Sequence, residues 1–194
     1  MRQIVVDKSI KRHRLVFKLS GELVFNYVMM YFMAYVLPVA SIDLIFFPSK
    51  YSQQHRSPTF NFVFLLIDAW LLISLYLTNK LIEFKGSTFD QNKESIIEVL
   101  KYRYPKFELS ENLTVIKMSR KVEDWNRGRL ITVILNDDSL YINMLSTYRG
   151  GQFSSLNGLT NYFKCRSIIK SFKLAQQNYS YGNNTQSRRQ SPGF

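Results

Sequence analysis

The apolar positions of this chain fall into two long blocks and then change to a mixed pattern. The first block runs over residues 23–47 and its only charged residue is Asp43; the second runs over residues 59–78 and its only charged residue is Asp68. A helix needs about 20 apolar residues to cross ~30 Å of hydrocarbon, so both blocks predict transmembrane helices, the second extending to about residue 82. Pro38 lies inside the first span, where membrane helices tolerate a proline and kink at it.

Beyond the second block the pattern becomes that of a small packed domain. Thr88 and Asp90 suit a helix start, and Ile96, Ile97, Val99 and Leu100 give a partly amphipathic run. Tyr104-Pro105 ends it, because a residue before proline avoids the helical region. Strand patterns follow at Phe107–Met118, Arg129–Leu135 and Ser139–Leu145, and Asn136-Asp137-Asp138 between the last two reads as a hairpin turn. A last helix is predicted from about Asn157 or Leu159 to Gln176. Leu159, Tyr162, Phe163, Ile169 and Phe172 form its apolar side, and Arg166, Lys170 and Lys173 share another side. Gln3–Val6 and Leu15–Lys18 are short enough to add one or two further strands.

The expected fold class is therefore α+β: a transmembrane helical hairpin plus a small cytoplasmic domain of antiparallel strands flanked by helices. The expected divisions are a basic N-terminal segment at 1–22, the hairpin at 23–83, the α+β domain at 84–177 and a disordered tail at 178–194, where Asn, Ser, Gln, Gly and Arg replace the aliphatic residues.

Charge sets the expected orientation. The chain carries a net charge of +12, with six Lys or Arg before the first span, two in the connecting loop and eighteen from Lys80 onward. The positive-inside rule places both termini in the cytoplasm, which makes the protein a multi-pass protein of the cell (inner) membrane. From Ser139 to the C-terminus there are seven basic residues and no acidic one. Arg149, Lys164, Arg166, Lys170 and Lys173 are accordingly the candidate surface for anionic lipid or a partner, each cation near a bilayer being worth roughly 1 kcal/mol. No zinc-finger spacing, RNA-binding aromatic signature or basic zipper is present, so nucleic acid is not an expected partner.

Within the spans Asp68 is the candidate polar site, since a carboxylate in hydrocarbon must be protonated or partnered. Tyr27, Tyr31 and Tyr35 recur every four residues on one helix face, and a hydroxyl from Tyr31 or Tyr35 is a candidate partner for it. Two roles stay open for Asp68: a hydrogen-bonded staple of the hairpin or a homo-oligomer, and a proton or ion relay.

No catalytic constellation emerges. His13 and His55 are isolated, and no zinc motif, nucleophile elbow or phosphate loop occurs. Asp137 and Asp138 belong to the turn. Cys165, the only cysteine, has Lys164 and Arg166 beside it, which would lower an exposed thiol's pKa, but no histidine partner; it reads as a packing residue. No metal and no cofactor is expected, and the chain is not read as an enzyme.

The stretch from Leu140-Tyr-Ile-Asn-Met-Leu-Ser-Thr-Tyr-Arg-Gly-Gly to Lys173, a strand, an Arg-Gly turn and a basic helix, resembles small uncharacterised two-helix membrane proteins of Bacteroidota-type bacteria. The order of elements is also similar to membrane-anchored bacterial domains of the YcxB or pleckstrin-homology type. The resemblance covers about the last 110 residues and brings no catalytic residues. The expected function is a membrane-anchored, non-enzymatic module that holds a small basic domain at the bilayer, binding protein or anionic lipid, with a homo-oligomer or a membrane protein as partner. The alternative is a small oligomeric transport or channel subunit that uses Asp68.

Overall fold

The computed structural model describes residues 4–18, positions 28, 32, 35 and 36, and residues 58–120, 128–147 and 153–189. The elements run α1 (Val6–Arg12), α2 (Pro58–Thr78), β1 (Ile82–Lys85), α3 (Phe89–Arg103), β2 (Glu108–Glu111), β3 (Val115–Arg120), β4 (Gly128–Asn136), β5 (Ser139–Thr147), β6 (Phe153–Ser154), a short 3-10 turn (Ser155–Asn157) and α4 (Gly158–Arg189).

The strands form one antiparallel sheet in the order β1-β5-β4-β3-β2, and β6 pairs with the far end of β5. The β4–β5 hairpin is its centre. Asn136 pairs with Ser139 across a two-residue loop, and Asp137 takes a left-handed φ of 48°, a conformation that Asp tolerates better than most residues. Alternation along the strands separates two covered faces. Ile116, Met118, Ile131, Val133, Leu135, Leu140, Ile142 and Met144 point to one face, where α3 and α4 add Ile96, Leu100, Cys165, Ile168 and Phe172. Val115, Ile134, Tyr141 and Leu145 point to the other, which the N-terminal segment covers with Leu15 and Phe17. That segment contributes isolated bridges, Ile4 with Phe17 and Arg14 with Lys80, around α1.

α3 begins after Thr88, whose side chain makes no capping bond. Asn92 does the equivalent work. Its Oδ1 accepts from the Ser87 amide at 2.7 Å and from Gln176 Nε2 at 2.8 Å. In α4 the buried positions are Asn161, Cys165, Ile168 and Phe172, whereas Phe163 is 59% exposed. The buried stripe is thus rotated from the expected one by a polar member: Asn161 bonds Ser146 across the sheet edge through Nδ2 at 3.1 Å. α4 also continues to Arg189, through the stretch whose composition predicts a tail. Once a helix is nucleated each further residue adds a bond, so polar composition alone does not stop it.

The expected transmembrane hairpin is corrected here, and with it the multi-pass location with both termini cytoplasmic. Among the described residues no helix is long and apolar enough to cross a membrane. The expected first span, 23–47, lies outside the described residues apart from positions 28, 32, 35 and 36. The physical reason for the second span is where α2 ends. Its last turns are built into the domain: Asn143 Nδ2 donates to the Thr78 carbonyl at 3.0 Å and the Lys80 carbonyl at 2.7 Å, and the Leu159 amide donates to Ser74 Oγ at 3.3 Å. Only residues 58–73 are clear of these anchors, roughly 24 Å at about 1.5 Å per residue, less than the ~30 Å of a hydrocarbon core. A hydropathy pattern cannot register that one end of an apolar run is packed against a sheet.

α4 starts unusually close to α2. A Cβ at Gly158 would lie 1.8 Å from the Ser74 carbonyl oxygen and 2.6 Å from Thr78 Oγ1. Gly158→Ala should therefore force the two helices apart, with a loss of about 1–3 kcal/mol expected for overpacking. Asn143→Leu should remove the side-chain donor that two carbonyls at the end of α2 share, at about 1–3 kcal/mol for each buried group. Thermal unfolding followed by circular dichroism checks both; an unchanged Tm in either variant would contradict the anchoring of α2.

Candidate functional site

The C-terminal end of α2 gathers charged and aromatic side chains from four parts of the chain. Arg14, in the loop after α1, places its Cζ 4.7 Å from the centroid of the Tyr76 ring on α2. Lys80, just beyond α2, places its Nζ 5.6 Å from the same ring and 5.7 Å from the ring of Tyr162 on α4. Arg166, one turn further along α4, has its Cζ 6.0 Å from Tyr162. Three cations and two tyrosines thus alternate in a row, each contact within the range of a cation–π attraction. Backbone bonds fix the row: the Leu15 amide donates to the Asn79 carbonyl at 2.8 Å, and the Leu81 amide to the His13 carbonyl at 3.0 Å.

From this base α2 carries an exposed apolar surface. Phe62, Val63, Leu65, Leu66, Ile67, Trp70, Leu72, Ile73 and Tyr76 are all exposed, Phe62 at 61%. Asp68, Ser74 and Thr78 are the buried positions. Their spacing places them on one stripe, with half-buried Leu71 and Leu75 between them. Among the described positions of α2 the fully buried side chains are thus polar, while the exposed ones include most of its large apolar side chains.

The expected site residues divide accordingly. Asp68 is only 7% exposed, and its Oδ2 meets no hydrogen-bond partner. Tyr35 is 74% exposed, so it is not a buried partner of Asp68. Tyr31 and Arg149 lie outside the described residues. On α4 Arg166, Lys170 and Lys173 are exposed and Lys164 is half-buried. Burial, and then the nearby charge of Arg129, hold the Lys164 ammonium below its ordinary pKa. Of the expected basic surface, Arg166 joins the row at the base of α2. Arg14 and Lys80, which complete it, were not among the expected residues. Helical spacing signals only the α4 pair: Tyr162 and Arg166 are four residues apart, the spacing that stacks two side chains on a helix, whereas Lys80 lies past the end of α2 and Arg14 in a loop.

Two further polar contacts join elements of the described residues. His13 Nδ1 lies 3.5 Å from Glu83 Oε2 on the exposed edge of β1. Arg103 at the end of α3 donates to Ser167 Oγ at 2.9 Å and Ser171 Oγ at 2.6 Å and ties the two helices together. Among the described residues no group of His, Cys, Asp and Glu could hold a metal ion. Comparison with protein-family models, with curated proteins and with solved structures finds no match to the chain.

Cys165 is buried between α4 and the sheet. Desolvation raises its thiol pKa from 9.0 to about 12, against a smaller opposing effect of the Met144 backbone. Despite the flanking Lys164 and Arg166 it is no nucleophile. In the folded chain Cys165 should resist iodoacetamide at pH 8.5 and react only on unfolding. A raised folded pKa means that the buried neutral thiol favours the fold fully below pH 9, and that this contribution is lost as pH climbs toward 12. Alkylation of the native chain as fast as of the denatured chain would show the thiol to be accessible.

Proposed function

We propose that the chain is a non-enzymatic docking module that binds an anionic lipid surface with α2 and the basic row at its base. The observation that carries this reading is the continuity of the two parts. An apolar helix surface, exposed from Phe62 to Tyr76, runs directly into Arg14, Lys80 and Arg166. Exposed apolar surface of this extent marks an interaction site. Aromatic rings beside Lys and Arg suit the boundary between acyl chains and headgroups, where one end of the group is apolar and the other wet. A helix lying in that boundary buries its apolar side chains about 5–10 Å deep and need not span anything. The net charge of +12 adds long-range attraction to anionic headgroups.

The alternative, a small oligomeric transport subunit using Asp68, has less support. Asp68 is turned inward and buried, so it offers no carboxylate to a neighbouring copy or to a path.

Co-sedimentation of the full chain with vesicles tests the reading. Binding is expected to phosphatidylcholine vesicles that contain phosphatidylserine and to be weaker on phosphatidylcholine alone, with a blue shift of tryptophan emission from Trp70. Raising salt should weaken it, because each cation contributes roughly 1 kcal/mol by a screened attraction. Leu66→Glu with Ile73→Glu, both on the exposed side of α2, should abolish it while the fold is retained. A chain that ignores anionic vesicles but forms a discrete, concentration-dependent oligomer through α2 would replace the lipid reading with a protein one.

A further inference from the structure

Arg14 and Lys80 face each other directly in an antiparallel bridge. Directly opposed residues bring their side chains close together, and like charges placed so destabilise a sheet pair. Both cations nevertheless sit on the same ring, Tyr76, and Lys80 also reaches Tyr162, with Arg166 on that ring in turn. Among the described residues none of the three is within ion-pair distance of a carboxylate, unlike His13 with Glu83 and Lys93 with Glu111. Half-buried Arg14 and Lys80 stand on backbone that the bonds of Leu15 and Leu81 hold together.

Folding gains little from this arrangement. An exposed cation–π contact is worth about 0.5–1 kcal/mol, and the mutual repulsion of three cations works against it. A bound anion reverses the sign of that repulsion. How much charge the anion needs follows from the count of cations. A phosphodiester headgroup brings one negative charge, which a single cation satisfies. A phosphomonoester brings roughly −1.5 to −2 at pH 7 and three acceptor oxygens. Arginine matches two of those oxygens with a planar fork, and lysine adds a point charge.

We propose that Arg14, Lys80 and Arg166 form a binding site selective for the phosphomonoester headgroup of an anionic lipid. Tyr76 and Tyr162 act as the spacers that hold the three cations in one row at the base of α2. This rests on the lipid-docking reading: α2 brings the row to the headgroup level, and the row selects among headgroups there. Phosphatidic acid is the simplest lipid of that chemistry.

The experiment compares the full chain on phosphatidylcholine vesicles containing either phosphatidic acid or phosphatidylserine, adjusted to equal zeta potential. Binding to the phosphatidic acid vesicles is expected to be tighter by roughly fivefold or more, the effect of about one further cation engaged. The double variant Arg14→Lys with Arg166→Lys keeps every charge and removes the bidentate forks, and its preference should fall toward unity. Circular dichroism and an unchanged Tm establish that it is folded. Equal binding of the wild-type chain to the two charge-matched vesicles overturns the proposal and leaves the docking reading standing. So does a preference that survives in the folded double variant. No binding to either vesicle removes the docking reading and this site with it. Binding of glycerol 3-phosphate in solution as tight as that of the phosphatidic acid vesicles would identify a free phosphomonoester as the ligand and overturn the lipid source.

Discussion

The side-chain amide of Asn143 holds the C-terminal end of α2 against the middle of β5, and the position of each group at the base of that helix depends on it. A helix end leaves carbonyls without partners, and here two of them, at Thr78 and Lys80, are met by one side chain from the most buried strand of the sheet. Gly158 then lets α4 start against Ser74 and Thr78, where any side chain would collide with backbone. These two contacts set the direction in which α2 leaves the domain. They also decide that Tyr76 and Lys80 meet Tyr162, and that the loop carrying Arg14 has a place to pair. Asn143 itself lies on the sheet face that the N-terminal segment covers, and that segment meets the end of α2 through the bonds of Leu15 to Asn79 and of Leu81 to His13.

This anchoring separates the two sides of α2 energetically. The buried stripe is polar, and part of it is satisfied locally: Thr78 Oγ1 donates to the Ser74 carbonyl at 2.8 Å, and Ser74 Oγ accepts from Leu159. Asp68 Oδ2 is not satisfied, and a buried acceptor without a partner costs about 1–3 kcal/mol. Burying apolar side chains on this stripe and exposing polar ones would be the more stable choice for a helix that ended its role in the monomer. The opposite choice leaves a ring such as Trp70 in contact with water, at roughly 25 cal/mol for each Å² that another surface could cover. Stability of the isolated chain therefore does not account for the sidedness of α2.

Much of the fold was legible in the sequence, for reasons tied to particular residues. The β4–β5 hairpin shows strand patterns on both sides of Asn136-Asp137-Asp138, and α3 stops at Tyr104 because Pro105 follows. Less legible was anything that depended on two distant segments meeting. The apolar run at 59–78 has the composition of a span, and only the bonds from Asn143 and Leu159 show that its last turns belong to the domain. The start of α4 agrees with the sequence reading but its end at Arg189 does not, and Phe163 is outside because the buried stripe passes through Asn161, a polar residue whose partner is Ser146 on β5. The reading of Cys165 as a packing residue agrees with its burial, since low exposure outweighs the charges of its neighbours.

The basic row shows the same division within five residues. Tyr162 with Arg166 is a helical pair that spacing alone could have picked out, and Tyr76 with Lys80 is a pair close in sequence whose second member lies past the end of α2. Their union is tertiary: Lys80 lies 5.6 and 5.7 Å from the two rings, almost midway, and so joins one pair to the other. Arg14 joins through a bridge to Lys80 that no periodicity announces. A basic surplus in the composition is compatible with many partners. The distribution narrows that, because the cations that converge here do so against one another and without a carboxylate among the described residues, at the one place where the apolar helix enters the domain. Like charges are brought together in a fold at a loss unless something outside the fold is of opposite sign, and on the lipid-docking proposal the neighbouring apolar surface sets that meeting at the headgroup level.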